Sequence, residues 1–204
     1  MIAKGSGYVR GNREAARARL SSHMKYIEHR SKDPEVESRD DRRIFSKDED
    51  VVNRRDAIDG TMEHTSTSAN YHKIVLSPGE DEPITDWKEW TREVMHDLEE
   101  RKGQELHWHA VKHENTDNPH VHVVLSGAGE EKETGKEQAV KMYSPDYRFL
   151  EGSGREHSEY EHYHHIEQLV KEYDSQDHVE PSLERDQSRE ADRHHDLDRG
   201  DFDR

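Results

Sequence analysis

The chain contains no cysteine, which rules out a disulfide framework and any thiolate metal site. Large aliphatics are scarce: Ile, Leu, Val and Phe together number 32 among 204 residues. Hydrophobic residues make up 28% of the chain and charged residues 38%, too little apolar surface to offset the ordering entropy of the whole length. A small folded core with a disordered remainder is expected. No apolar run approaches membrane-spanning length and the N-terminus has no signal-peptide pattern. The expectation is therefore a soluble, cytoplasmic protein without membrane insertion.

Positive charge is also short. A formal net charge of −16 argues against a nucleic-acid partner, because phosphate binding draws on Lys and Arg. The distribution of that charge points the other way. Residues 1–32 carry eight Lys/Arg against Glu14 and Glu28, a net of +6, and leave −22 on residues 33–204. The basic end is where DNA contact is expected; the ordinary alternative is a solvated basic helix. The acidic surplus, with 19 Arg to 12 Lys, is also what adaptation to high salt produces, since screening makes such a surface tolerable. A stability maximum in dilute buffer would count against that habitat.

Periodicity then places the elements. Residues 11–30 read as a helix with Ala16, Leu20, Met24 and Ile27 as one apolar stripe. A short helix is expected around Val51–Ile58, and Tyr71–Leu76 reads as a buried strand stopped by Ser77-Pro78-Gly79. A second helix starts at Asp86, with Glu89 placed for a capping box, and ends at Gly103. Leu106–His113 and His120–Leu125 alternate as strands joined by an Asp117-Asn118-Pro119 turn, the second ended by Ser126-Gly127. Residues 128–137 read as a charged loop, Gln138–Tyr143 as an edge strand and Arg155–Tyr173 as a last helix. The pattern predicts an α+β fold: a central antiparallel sheet with helices packed mainly on one face. Residues 1–173 form the folded domain, and 174–204 a disordered Asp/Arg/His-rich tail.

The segment richest in chemistry is His113–His122. In a strand, side chains alternate faces, so His120 and His122 point the same way. Two imidazoles at that spacing can hold one metal ion, and His113, across a tight turn, can return as a third ligand. Three neutral nitrogens leave positions open for water and phosphate oxygens, as a catalytic site requires. The chain has 17 histidines, so a His-X-His pair alone is weak. His107 and His109 form another, read as half-exposed strand residues. Asp117 stands three residues before His120, either supporting a ligand or binding the ion, or simply capping turn amides.

The block His113–Leu125, HENTDNPHVHVVL, resembles the third motif of conjugative and mobilisation relaxases, in the His-hydrophobe-His (HUH) endonuclease superfamily, and is nearest the mobilisation and T-DNA border-nicking branch. Ser22–Arg30, SHMKYIEHR, resembles the first motif, in which a helical tyrosine lies in a hydrophobic context followed by a basic residue. Tyr71–Gly127 follows the family's order throughout, so the likeness covers roughly residues 15–127. The usual Arg-Asp-Gly after the tyrosine is replaced by Glu28-His29-Arg30-Ser31. The resemblance implies an HUH palm-like fold, Tyr26 as nucleophile and His113, His120 and His122 as metal ligands. The ion would be Mn²⁺ or Mg²⁺ for phosphate chemistry, though Zn²⁺ or Ni²⁺ would also suit imidazoles. The implied partner is single-stranded DNA at an origin-type nick site, with accessory or coupling proteins.

On an ideal helix Tyr26 projects roughly 100° or more from the centre of the apolar stripe, so it need not be a core residue. Arg19, Lys25 and Arg30 are the expected DNA contacts on the same helix. Rolling-circle replication initiators of the superfamily place the nucleophile on a helix after the histidine strand, which makes Tyr160 or Tyr163 the alternative. Tyr163 falls on a stripe with Ile166, Val170 and Tyr173 that reads as core packing, whereas Tyr160 lies off it. A non-catalytic DNA-binding regulator and a metal hydrolase of small phosphoesters are the readings from other classes.

Overall fold

A computed structural model describes residues 1–29, 43–79, 84–113 and 118–176. One compact unit spans Met1–Ile166. The second, Glu167–Arg204, is described only to residue 176. The expected disordered tail, 174–204, thus lies outside the described residues from 177 onward.

The elements run β1 (Ile2–Val9), α1 (Arg13–His29), β2 (Phe45–Ser46), α2 (Arg54–Glu63), β3 (Tyr71–Ser77), α3 (Trp87–Lys102), β4 (Gln104–His113), β5 (His120–Glu131), β6 (Glu137–Ala139) and α4 (Ser144–Gln176). The sheet order is β1-β3-β5-β4-β2, with β6 also on β5, and every pairing is antiparallel. The α+β class and the antiparallel sheet are as the sequence predicts.

The helices, expected mainly on one face, divide between two. Val121, Val123 and Leu125 point into a core closed by Trp87, Trp90, Val94 and Leu98 of α3 and by Leu150 of α4. Val124 and Val111 point the other way, under Ala16, Leu20, Met24 and Ile27 of α1 and Ala57 and Met62 of α2. The strict alternation of β5 makes both faces apolar, and each needs its own cover.

Local chemistry explains where the other expectations hold. The four stripe residues of α1 are its buried ones. Asp86 caps α3 by accepting from the amides of Lys88 and Glu89, and Gly103 closes it with φ 62°. Glu89 faces Arg92 at 3.7 Å. The helix expected at Val51–Ile58 begins later, because Asn53 is its cap.

Strand β2 has no counterpart in the expectation, β6 spans Glu137–Ala139 in place of Gln138–Tyr143, and three further elements depart from expectation. Strand β1 has little apolar pattern because it is an edge strand, mostly exposed and bulged between Gly5 and Gly7. Strand β5 continues through Ser126-Gly127 to Glu131. A side chain at Gly127 would collide with the Ala69 carbonyl, so glycine there marks close backbone approach, not a strand end. Helix α4 begins at Ser144, where Asp146 accepts from the Tyr143 amide. Gly154 sits inside it because the Met1 side chain, and behind it the Trp90 indole, occupy the place a side chain would take; the indole N–H donates to the Gly154 carbonyl at 2.9 Å.

Candidate functional site

The β4–β5 hairpin places the histidines. His113 ends β4 and His120 begins β5, directly opposite each other in the ladder, while His122 pairs with Val111. The three rings converge, with centroids 4.7 to 5.1 Å apart and mutually tilted by 69° to 78°. One ligand atom from each lies within 4.8 Å of the others. His113 is buried, whereas His120 and His122 are partly exposed, so the cluster is open on one side.

The ring nitrogens are oriented by main-chain groups. The His120 Nδ1–H donates to the Asn118 carbonyl at 2.8 Å, which leaves Nε2 as the lone-pair nitrogen. That Nε2 lies 3.1 Å from Nε2 of His122. Two imidazole nitrogens bound to one ion at about 2.1 Å take roughly this separation when their bonds meet near a right angle. The donor set therefore fits a divalent ion that keeps further positions for oxygen ligands.

Helix α1 is docked onto this cluster. His113 Nε2 donates to the carbonyl of Ile27 at 2.5 Å. One turn earlier, the ring of His23 stands 6.2 Å from that of His122, edge-on. These two contacts bracket Tyr26, which follows His23 by three residues and precedes Ile27. Tyr26 is 49% exposed, off the buried stripe as the sequence predicts.

Arg19, two turns before Tyr26, and Lys25 are exposed and have no carboxylate partner among the described residues. Arg30 and Asp117 lie outside the described residues. Tyr160 and Tyr163 sit on α4. Near them the same helix engages Asp97 through His157 and Thr85 through Glu161, on the α3 side of the sheet, away from the triad. Tyr163, expected to pack in a core, is 69% exposed.

Sequence reasoning missed His23. Its place three residues before Tyr26 puts it on the same side of α1, and that spacing could have found it. Burial, and then the Lys73 charge, bring its pKa down to about 4.

A second histidine cluster lies elsewhere on β4. The rings of His64 and His107 stack at 3.5 Å, and the His109 Nδ1–H donates to the Thr61 hydroxyl at 3.1 Å. Burial, then the neighbouring His107, lowers the His109 pKa from 6.5 to about 4. The folded imidazole is therefore neutral where the unfolded one takes up a proton. Stability is full above about pH 6.5 and declines as pH falls from there toward 4. The cost is on the order of 2–3 kcal/mol. Melting curves at successive pH values should show His109→Gln losing less stability on acidification than wild type; an identical loss would show that another group is responsible.

The family model for relaxases, MobA/VirD2-like, nuclease domain, matches residues 26–173, beginning at Tyr26 itself. The chain belongs to this relaxase nuclease family, whose members are metal-dependent DNA-nicking endonucleases that bind single-stranded DNA at nick sites. No curated protein matches the chain. Among the described residues no helix is long and apolar enough to cross a membrane.

Proposed function

We propose that the protein is a site- and strand-specific transesterase that nicks single-stranded DNA through Tyr26 and rejoins it, serving DNA mobilisation. The observation that supports this reading is the contact of α1 with the triad through the Ile27 carbonyl and His23, the residues next to and one turn before Tyr26.

His113, His120 and His122 would hold the divalent ion, Mn²⁺ or Mg²⁺ by preference for phosphate oxygens. When bound, the ion supplies Lewis-acid polarisation of the scissile phosphate. Tyr26 Oη attacks phosphorus in line, forming the P–Oη bond while the P–O3′ bond breaks. The phenolic proton ends, net, on the 3′ oxygen, which departs as a free hydroxyl and leaves a 5′-phosphotyrosyl adduct. The adduct conserves the phosphoester bond, so attack by a 3′-OH reverses the step without ATP. Arg19 and Lys25 hold the DNA backbone by charge. A cytoplasmic site of action and accessory or coupling partners complete this reading.

The test is incubation with Mn²⁺ and end-labelled single-stranded DNA carrying candidate nick sites. Cleavage with label on the 3′-side fragment retained by protein in denaturing gels is expected. No cleavage would favour a DNA-binding regulator, and cleavage without an adduct would favour a hydrolase.

A further inference from the structure

Cations around α2 and α3 are neutralised within the protein. Lys47 meets Glu99 at 3.1 Å, and Arg92 meets Asp50, Lys102 meets Asp146 and Arg54 meets Glu28, each at 2.6 Å. Even the cleft of about 480 Å³ lined by Arg17, Arg54 and Arg55 has its charges engaged by Asp59 and Glu28.

The β1–β3 side differs. Lys73, partly buried in β3, has no carboxylate partner among the described residues, and neither has Lys4 on β1. With 47 acidic residues to 31 cations, a partly buried lysine left without one is the exception.

Register shows where these lysines stand. Opposed residues in a ladder share a face. Lys73 is opposite Val124 on one side and Gly7 on the other, so it lies on the same face of the sheet as α1, partly exposed beside it, and its charge acts on His23. Lys4 is opposite Val75, which is opposite His122. Lys4 and His122 thus belong to one cross-strand row, two strand spacings or roughly 10 Å apart. Beside Lys73 the floor is bare. Gly7 has φ 115°, and a side chain there would meet nothing within 4 Å. Backbone can approach closely at such a position.

We propose that this strip of open sheet is a phosphate track. Lys73 grips the backbone phosphate next to the one at the histidine triad, Lys4 grips a further one, and single-stranded DNA leaves the site across β3 and β1. The proposal rests on the single-strand nuclease reading above. Both lysines act as point charges that position the strand without reading its sequence.

The test is fluorescence anisotropy of the full chain with labelled, mixed-sequence single-stranded DNA between about 50 and 200 mM salt. Lys73→Gln and Lys4→Gln should each reduce the slope of log affinity against log salt by about 0.7 and weaken binding about three- to tenfold. Lys73→Arg should restore the slope, and Lys136→Gln, on the β5–β6 turn, should match wild type. Slopes unchanged in both glutamine variants overturn the track while leaving the nuclease reading intact. Failure of the wild type to bind single-stranded DNA removes both. If Lys73→Gln does not fold, Lys4→Gln and Lys73→Arg still decide.

Discussion

Replacing Tyr26 by phenylalanine is expected to abolish the covalent protein–DNA adduct and lower strand cleavage by more than about 10³-fold, the scale on which loss of a covalent nucleophile acts. Stability should hardly move. Tyr26 is half exposed and lies off the stripe that anchors α1, and substitutions at such positions stay within about 0.5 kcal/mol. Adduct formation read on denaturing gels, beside a melting curve, separates the two effects. The double replacement of Tyr160 and Tyr163 by phenylalanine should retain the adduct. An adduct that persists in Tyr26→Phe and vanishes in the double variant would assign the chemistry to α4, as in replication initiators.

The second large effect concerns the triad. Losing a residue that merely orients a metal ligand costs roughly 10- to 100-fold in affinity or activity, so losing a ligand should cost more. His120→Ala and His122→Ala are each expected to lower cleavage by more than about 100-fold. They should also remove the rise in melting temperature that Mn²⁺ gives the wild type, a rise that mass action requires of any ligand bound only by the folded state. Chelation should reproduce the loss of activity, and added Mn²⁺ should reverse it for the wild type alone. Equal thermal shifts in the wild type and both variants would show that the ion binds elsewhere.

What is legible in the sequence is what depends on near neighbours. The α1 stripe and the position of Tyr26 off it are consequences of 3.6-residue periodicity, and the His120/His122 pair follows from strand alternation. The caps of α3 are legible in Asp86 and Gly103. Glycine misleads at Gly127, read as a strand end, and Gly154 lies inside a helix expected to begin just after it; they serve packing against Ala69 and against Met1 and Trp90, which only the tertiary fold discloses. Strand β1 leaves little trace because it is a mostly exposed edge strand whose inward-facing positions are filled by the small residues Ala3 and Gly5, without an alternating apolar pattern. The sheet order is not legible either, and with it the row that connects Lys4 through Val75 to His122. The placement of helices on both faces follows from the apolar residues on both sides of β5, a signal present in the run Val121–Leu125 that a one-sided packing does not accommodate.

The bond from His113 to the Ile27 carbonyl has a further consequence. Because the acceptor is main chain, the exposed side chains on the last turns of α1 can be exchanged while the fastening and the buried stripe of Met24 and Ile27 stay in place. Evolution is therefore free to vary the exposed residue at position 26, and its neighbours on the same side, while keeping the helix seated on the histidines. Chemical diversity in such a site would be expected along α1 before it appears in the triad.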